Sequence, residues 1–136
     1  MFGEAMVIIN DALKSDFRYI AKQKGGMLAK GWILAVQFEV LMKNNLYENI
    51  GAYENKMMKE LREGLKQLGF KFTVESPSNQ IFPIFSNKLL EELRGDFDWE
   101  VISRIDENYT EIRLVTSWAT KIEDIHKFLD RISELI

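Results

Sequence analysis

The run NYTEIRLVTSWATK, residues 108–121, decides how this chain folds. Within it, Ile112, Leu114 and Thr116 fall on one side of an alternating pattern and Arg113, Val115 and Ser117 on the other. A period of two in a β-rich run is the mark of a strand with one face against a core. Arg113 therefore leaves a rigid strand among small and hydroxylated neighbours, and its planar fork has the geometry to grip a carboxylate through two parallel hydrogen bonds. On the residues alone, the simpler account is a strand arginine paired with a nearby acid, since most arginines lie at the surface.

Outward from this strand the pattern stays regular. Residues 99–105 read as another strand and 106–108 as a turn, so the two strands form a hairpin. Downstream, Thr120 and Glu123 have capping-box spacing and open a last helix with the stripe Ile122, Ile125, Leu129, Ile132 and Leu135. His126 sits one position off that stripe, as a surface or boundary residue. Upstream, Ser86 caps a short helix that Gly95 closes, residues 80–85 form a strand that Pro83 confines to an edge or a bulge, 75–79 is a Ser-Pro-Ser-Asn turn, and 70–74 is a strand. A long helix over 46–68 carries the stripe Leu46, Ile50, Tyr53, Met57, Leu61, Leu65 and Leu68, and Gly69 stops it. Residues 46–136 thus read as an α+β domain, an antiparallel sheet covered by helices.

The first 45 residues read differently, as a tail of something larger and not as a unit with its own core. Residues 4–9 form an apolar strand of the type buried on both faces, 12–24 a helix ended by Gly25 and Gly26, and 27–44 a helix apolar nearly all round, as in an element packed against another domain or subunit. That helix is the reason to expect a homo-oligomer.

Composition narrows the class. The chain has 136 residues, 46% hydrophobic and 29% charged with a net charge of −3, so it offers no basic excess for a nucleic acid. It has no cysteine and one histidine, which leaves neither a thiolate nor a multi-histidine metal site. The first ten residues lack a basic start and carry Glu4, and the most apolar stretch, 32–42, is broken by Gln37 and Glu39 and is too short for a membrane span, so a cytoplasmic protein is expected.

Five stretches, FGEAMVI (2–8), DFRYIAKQKGGMLAKG (16–31), QFEVL (37–41), SPSNQIFPI (76–84) and IRLVTSWAT (112–120), occur in an order that closely resembles the C-terminal part of low-specificity L-threonine aldolases. The resemblance implies the small C-terminal domain of a fold type I enzyme that uses pyridoxal phosphate, preceded over residues 1–45 by the end of its large domain and interdomain helices. It implies a parent enzyme that cleaves threonine or allo-threonine to glycine and acetaldehyde. The Schiff-base lysine would lie upstream of Met1, so no catalytic residue is expected within the chain, which by itself would be inactive and bind no cofactor. Arg113 matches the arginine that holds the substrate's α-carboxylate, and this turns the expectation for Arg113 from a plain ion pair to a binding role. Lys30, in a stretch with Lys22 and Lys24, falls where relatives carry cations near the cofactor phosphate, but Leu28 stands where the better-known arginine would be. Two other readings are a non-enzymatic dimerisation module and a different β-eliminating lyase using the same cofactor.

Overall fold

The structure, a computed structural model, describes residues 4–136. The chain divides into two compact units, Met1–Tyr47 and Glu48–Ile136.

Helix α3 (Leu46–Gln67), which lies in the second unit from Glu48 on, leads into a sheet of β1 (Lys71–Phe72), β2 (Gln80–Ile81), β3 (Pro83–Ser86), β4 (Glu100–Arg104) and β5 (Tyr109–Val115), with α4 (Asn87–Leu93) between β3 and β4 and α5 (Ile122–Leu135) at the end. All pairings are antiparallel. β5 is central: β4 runs along one edge, while β2 and β3 lie end to end along the other in a single register, with β1 outside β3. The ladder to β5 lapses at Phe82 and Pro83, where proline has no N–H to give. Pro83 is nevertheless interior, flanked by β1 as well, so the expected edge position is corrected to an interruption inside a continuous register.

The alternation of β5 survives intact. Thr110, Ile112, Leu114 and Thr116 are buried, and Arg113 and Val115 are not. The inward face meets Met57, Met58, Leu61 and Leu65 of α3, Leu89, Leu90 and Leu93 of α4, and Ile125, Phe128 and Ile132 of α5 in one core. Phe128, absent from the expected stripe, is central, edge-on to Phe97 at 4.9 Å and stacked on Phe85 at 6.5 Å.

Helix ends follow local chemistry. Gly69, at φ 86°, ends α3 in a Schellman arrangement, with the Phe70 N–H on Leu65 O at 3.0 Å and the Gly69 N–H on Lys66 O at 3.0 Å. Just beyond, Lys66 donates to Glu75 at 2.7 Å, and that bond with the ammonium's charge holds the Glu75 carboxyl below its ordinary value. Ser86 caps α4 through the Leu89 N–H at 3.2 Å. The capping box at α5 does not form: Lys121 is the N-cap residue, and the Thr120 hydroxyl instead accepts from the Ser117 N–H at 2.8 Å, one residue too early to serve the helix.

Two glycines within α3 make opposite predictions. A methyl at Gly51 would meet nothing within 4 Å, whereas one at Gly64 would collide with both terminal carbons of Leu129, 2.9 Å from Cδ2. Gly51→Ala is expected to stabilise by about 0.5–1 kcal/mol through helix propensity. Gly64→Ala is expected to destabilise by about 1–2 kcal/mol, because overpacking against α5 outweighs the same gain. Urea midpoints of the two variants check this, and a stabilised Gly64→Ala would contradict the packing.

The first unit departs from expectation. Residues 4–10 have no regular structure, and Met6, Val7 and Ile9 are exposed. The buried strand expected over 4–9 is absent because no strand among the described residues lies beside it to complete its ladder. The beginning of the FGEAMVI stretch, Phe2 and Gly3, lies outside the described residues. The single helix expected over 12–24 is a 3-10 turn (Asp11–Leu13) and α1 (Phe17–Gln23), separated at Asp16, whose φ is 56°. Asn10 caps the turn through the Ala12 N–H at 3.0 Å, and Gly25, at φ 74°, follows α1. α2 (Trp32–Met42) begins five residues later than expected and buries none of its side chains. Its apolar circumference is real and exposed: Trp32 is 68% exposed and Val40 52%. A second 3-10 turn (Lys43–Asn45), with Asn44 and Asn45 at positive φ, separates α2 from α3.

Exposed apolar surface of this extent favours association. The isolated chain is expected to self-associate at micromolar concentration, and sedimentation velocity would show it; a monomer across that range would contradict the expectation.

Candidate functional site

The two most distinctive stretches of the sequence are brought together at the end of β5. Asn79, in the Ser-Pro-Ser-Asn turn, donates from Nδ2 to Thr116 O at 2.8 Å and accepts the Thr116 N–H at 3.0 Å. That turn is held by its own serines, with Ser76 Oγ and Ser78 Oγ 2.9 Å apart, and by Arg62 Nη1, which donates to Ser76 O. From the helix side, Thr116 Oγ1 donates to Glu54 O at 2.7 Å, the Glu54 carboxylate accepts from the Trp118 N–H at 3.1 Å, and the Tyr53 hydroxyl donates to Thr120 O at 2.6 Å. The turn after β5 is thus fixed by α3 and by residues 76–79. Glu54 was not singled out in the sequence, although its spacing of four from Ile50 and three from Met57 places it on the inward side of α3.

Beside this anchored turn lies a cleft of about 590 Å³, a volume usual for small-molecule sites. Arg113, Thr116, Thr120 and Trp99 contribute to its walls, and so do the carboxylates of Asp98, Glu100 and Asp124. Arg113 is the one cation among the lining residues.

Arg113 projects from β5 on the face away from the core. Its Nη2 donates to Glu100 Oε2, and Glu100 stands directly opposite on β4. The ion pair of the simpler account is therefore present. It does not satisfy the whole fork, because Arg113 Nε is buried and has no hydrogen-bond partner among the described residues. Its opposite number is set by an irregularity. The register of the hairpin shifts between Val101 and Ser103, and without this bulge at Ile102 the residue facing Arg113 would be Val101.

Lys30 belongs to the first unit, where it is exposed in the turn before α2, as Lys22 and Lys24 are in and after α1. Every lysine among the described residues is exposed, and none lines the cleft beside Arg113. His126 is exposed on α5. Among the described residues no group of three or more His, Cys, Asp or Glu is placed to hold a metal ion, and no helix is long and apolar enough to cross a membrane.

Taken together, the open antiparallel sheet and the helices packed on it define an α+β domain of the type that forms the small C-terminal domain of fold type I enzymes. In sequence and in fold the chain is related to the C-terminal part of threonine aldolases. It is 27% identical over 128 residues, 92% of the chain, to a low specificity L-threonine aldolase of Pseudomonas aeruginosa. It also superposes on the Leishmania major threonine aldolase structure with a TM-score of 0.88 and 44% identity, over 94% of this chain. The chain spans 36% and 37% of the lengths of these two relatives. No family model matches it.

Proposed function

We propose that this chain supplies the substrate-carboxylate site of a larger pyridoxal phosphate-dependent lyase that cleaves threonine or allo-threonine to glycine and acetaldehyde. One observation carries the reading: Arg113 is a strand-borne guanidinium in a small-molecule-sized cleft, with its fork only partly filled. The likeness to two threonine aldolases supports it.

The chemistry assigns Arg113 a definite task. Breaking the Cα–Cβ bond of a β-hydroxy amino acid requires that bond to be held at a fixed angle to the cofactor, which supplies the electron sink when bound. A bidentate grip on the α-carboxylate fixes two of the substrate's rotations at once. β5 makes the grip rigid, since its inward side chains are locked in the core and its end is tied down by Asn79 and Glu54. The chain's own residues bind and orient, and this chain alone is expected to be inactive.

The test uses the full-length protein that carries this chain. With pyridoxal phosphate bound, release of acetaldehyde from threonine or allo-threonine is the result expected. A cofactor-loaded protein that releases none from either substrate would overturn the reading.

A further inference from the structure

We infer that Glu100 is an internal competitor for the Arg113 fork, a residue that limits how tightly a ligand carboxylate is held. The inference rests on the carboxylate-binding reading of Arg113 and extends it.

The argument begins with which donor is occupied. A carboxylate that served only to aim the guanidinium would bond Nε, near the stem, and leave the distal nitrogens free to grip a ligand. The arrangement here is the reverse: Glu100 takes Nη2 at the distal end, and Nε is the donor left without a partner among the described residues. A ligand carboxylate approaching the fork therefore meets a position already held by a chemically identical group. It must displace Glu100 or crowd against it to share Nη2.

Two further features fit a competitor. Glu100 is 56% exposed at its side chain against 35% for Arg113, so it lies on the open side of the pair and has room to swing away. An exposed pair of this kind is weakly held, which makes displacement feasible without making it free. Its position also depends on a specific device: the bulge at Ile102 places Glu100, in place of Val101, across from Arg113. With Asp98 and Asp124 in the same walls, the cleft has three carboxylates to one guanidinium. A monocarboxylate amino acid brings one anionic group to this balance. A dicarboxylate would place its second anion among these acids with no cation to receive it.

Glu100→Gln keeps the size of the side chain and removes its charge, at an exposed position where folding is not at stake. In the full-length, cofactor-loaded protein, KM for threonine is expected to fall about threefold to tenfold, with kcat/KM rising by the same factor. The effect should vanish in the Arg113→Ala background, because a competitor has no role once the fork is gone. A parallel titration of glycine, followed through the Arg113 Nε–H resonance, should show tighter binding in Glu100→Gln by a similar factor. If Glu100→Gln raises KM or leaves it unchanged while Arg113→Ala still abolishes efficient turnover, Glu100 is not a competitor and this inference alone falls. If Arg113→Ala itself leaves KM and turnover intact, the carboxylate-binding reading beneath it falls as well.

Discussion

Arg113→Ala in the full-length protein is expected to lower kcat/KM on threonine by about 30-fold to several thousandfold while pyridoxal phosphate stays bound. Truncating one partner of a buried, hydrogen-bonded charge pair costs about 2–5 kcal/mol, much of it from the charge left stranded, and each 1.4 kcal/mol is a factor of ten. Arg113→Lys should recover only part of the loss, since a single ammonium reproduces the charge and not the two parallel bonds. Stability should respond very differently. Among the described residues Arg113 pairs with the exposed Glu100, and such pairs contribute about 0–1 kcal/mol. A large kinetic loss with a small change in unfolding midpoint would therefore separate a binding arginine from a structural one. Cofactor absorbance, steady-state kinetics and urea unfolding together make the measurement. Near wild-type efficiency on threonine would return Arg113 to an ordinary cross-strand ion pair.

Phe85→Ala should have the largest effect on folding, a loss of about 3–5 kcal/mol. The side chain is fully buried on β3, its ring 4.5 Å from that of Phe70 and 6.5 Å from that of Phe128, so it joins the end of α3, the sheet and α5. Its removal leaves a void that rigid neighbours on three elements cannot close together. Against a total stability of about 5–15 kcal/mol for an ordinary domain, this would leave the unit marginal or unfolded at physiological temperature. Val101→Ala, on an exposed position of β4, should move the midpoint by less than about 0.5 kcal/mol. A Phe85→Ala loss below about 1.5 kcal/mol would mean that the aromatic cluster does not hold the layers together.

The sequence made the sheet and its covering helices readable because their signals are local. β5 showed its two faces through strict alternation, Gly69 ended α3 by its own conformational freedom, and Ser86 capped α4. Residues 4–9 were misread as a strand, because a strand depends on neighbours and none lies beside them among the described residues. α2 was read as a helix and is one, starting later than expected and with its apolar side chains exposed. The Thr120–Glu123 spacing was a true motif in the wrong frame, since the Thr120 hydroxyl is taken by a local bond from the Ser117 N–H three residues before it. In the site, Arg113 was visible as a cation on a strand, but Glu100 was not visible as its partner. A hairpin counted back from its turn pairs Arg113 with Val101, and only the bulge at Ile102 changes that. Glu54 was hidden in a similar way, because its role is to bond backbone groups more than sixty residues away.

The central claim is that Arg113 holds a substrate carboxylate, and the most direct measurement is a structure of the full-length protein with glycine and pyridoxal phosphate bound. The predicted result is a glycine carboxylate within hydrogen-bond distance of two Arg113 nitrogens, with Glu100 turned away from Nη2. A glycine carboxylate held by other residues, with Arg113 still paired to Glu100, would contradict it.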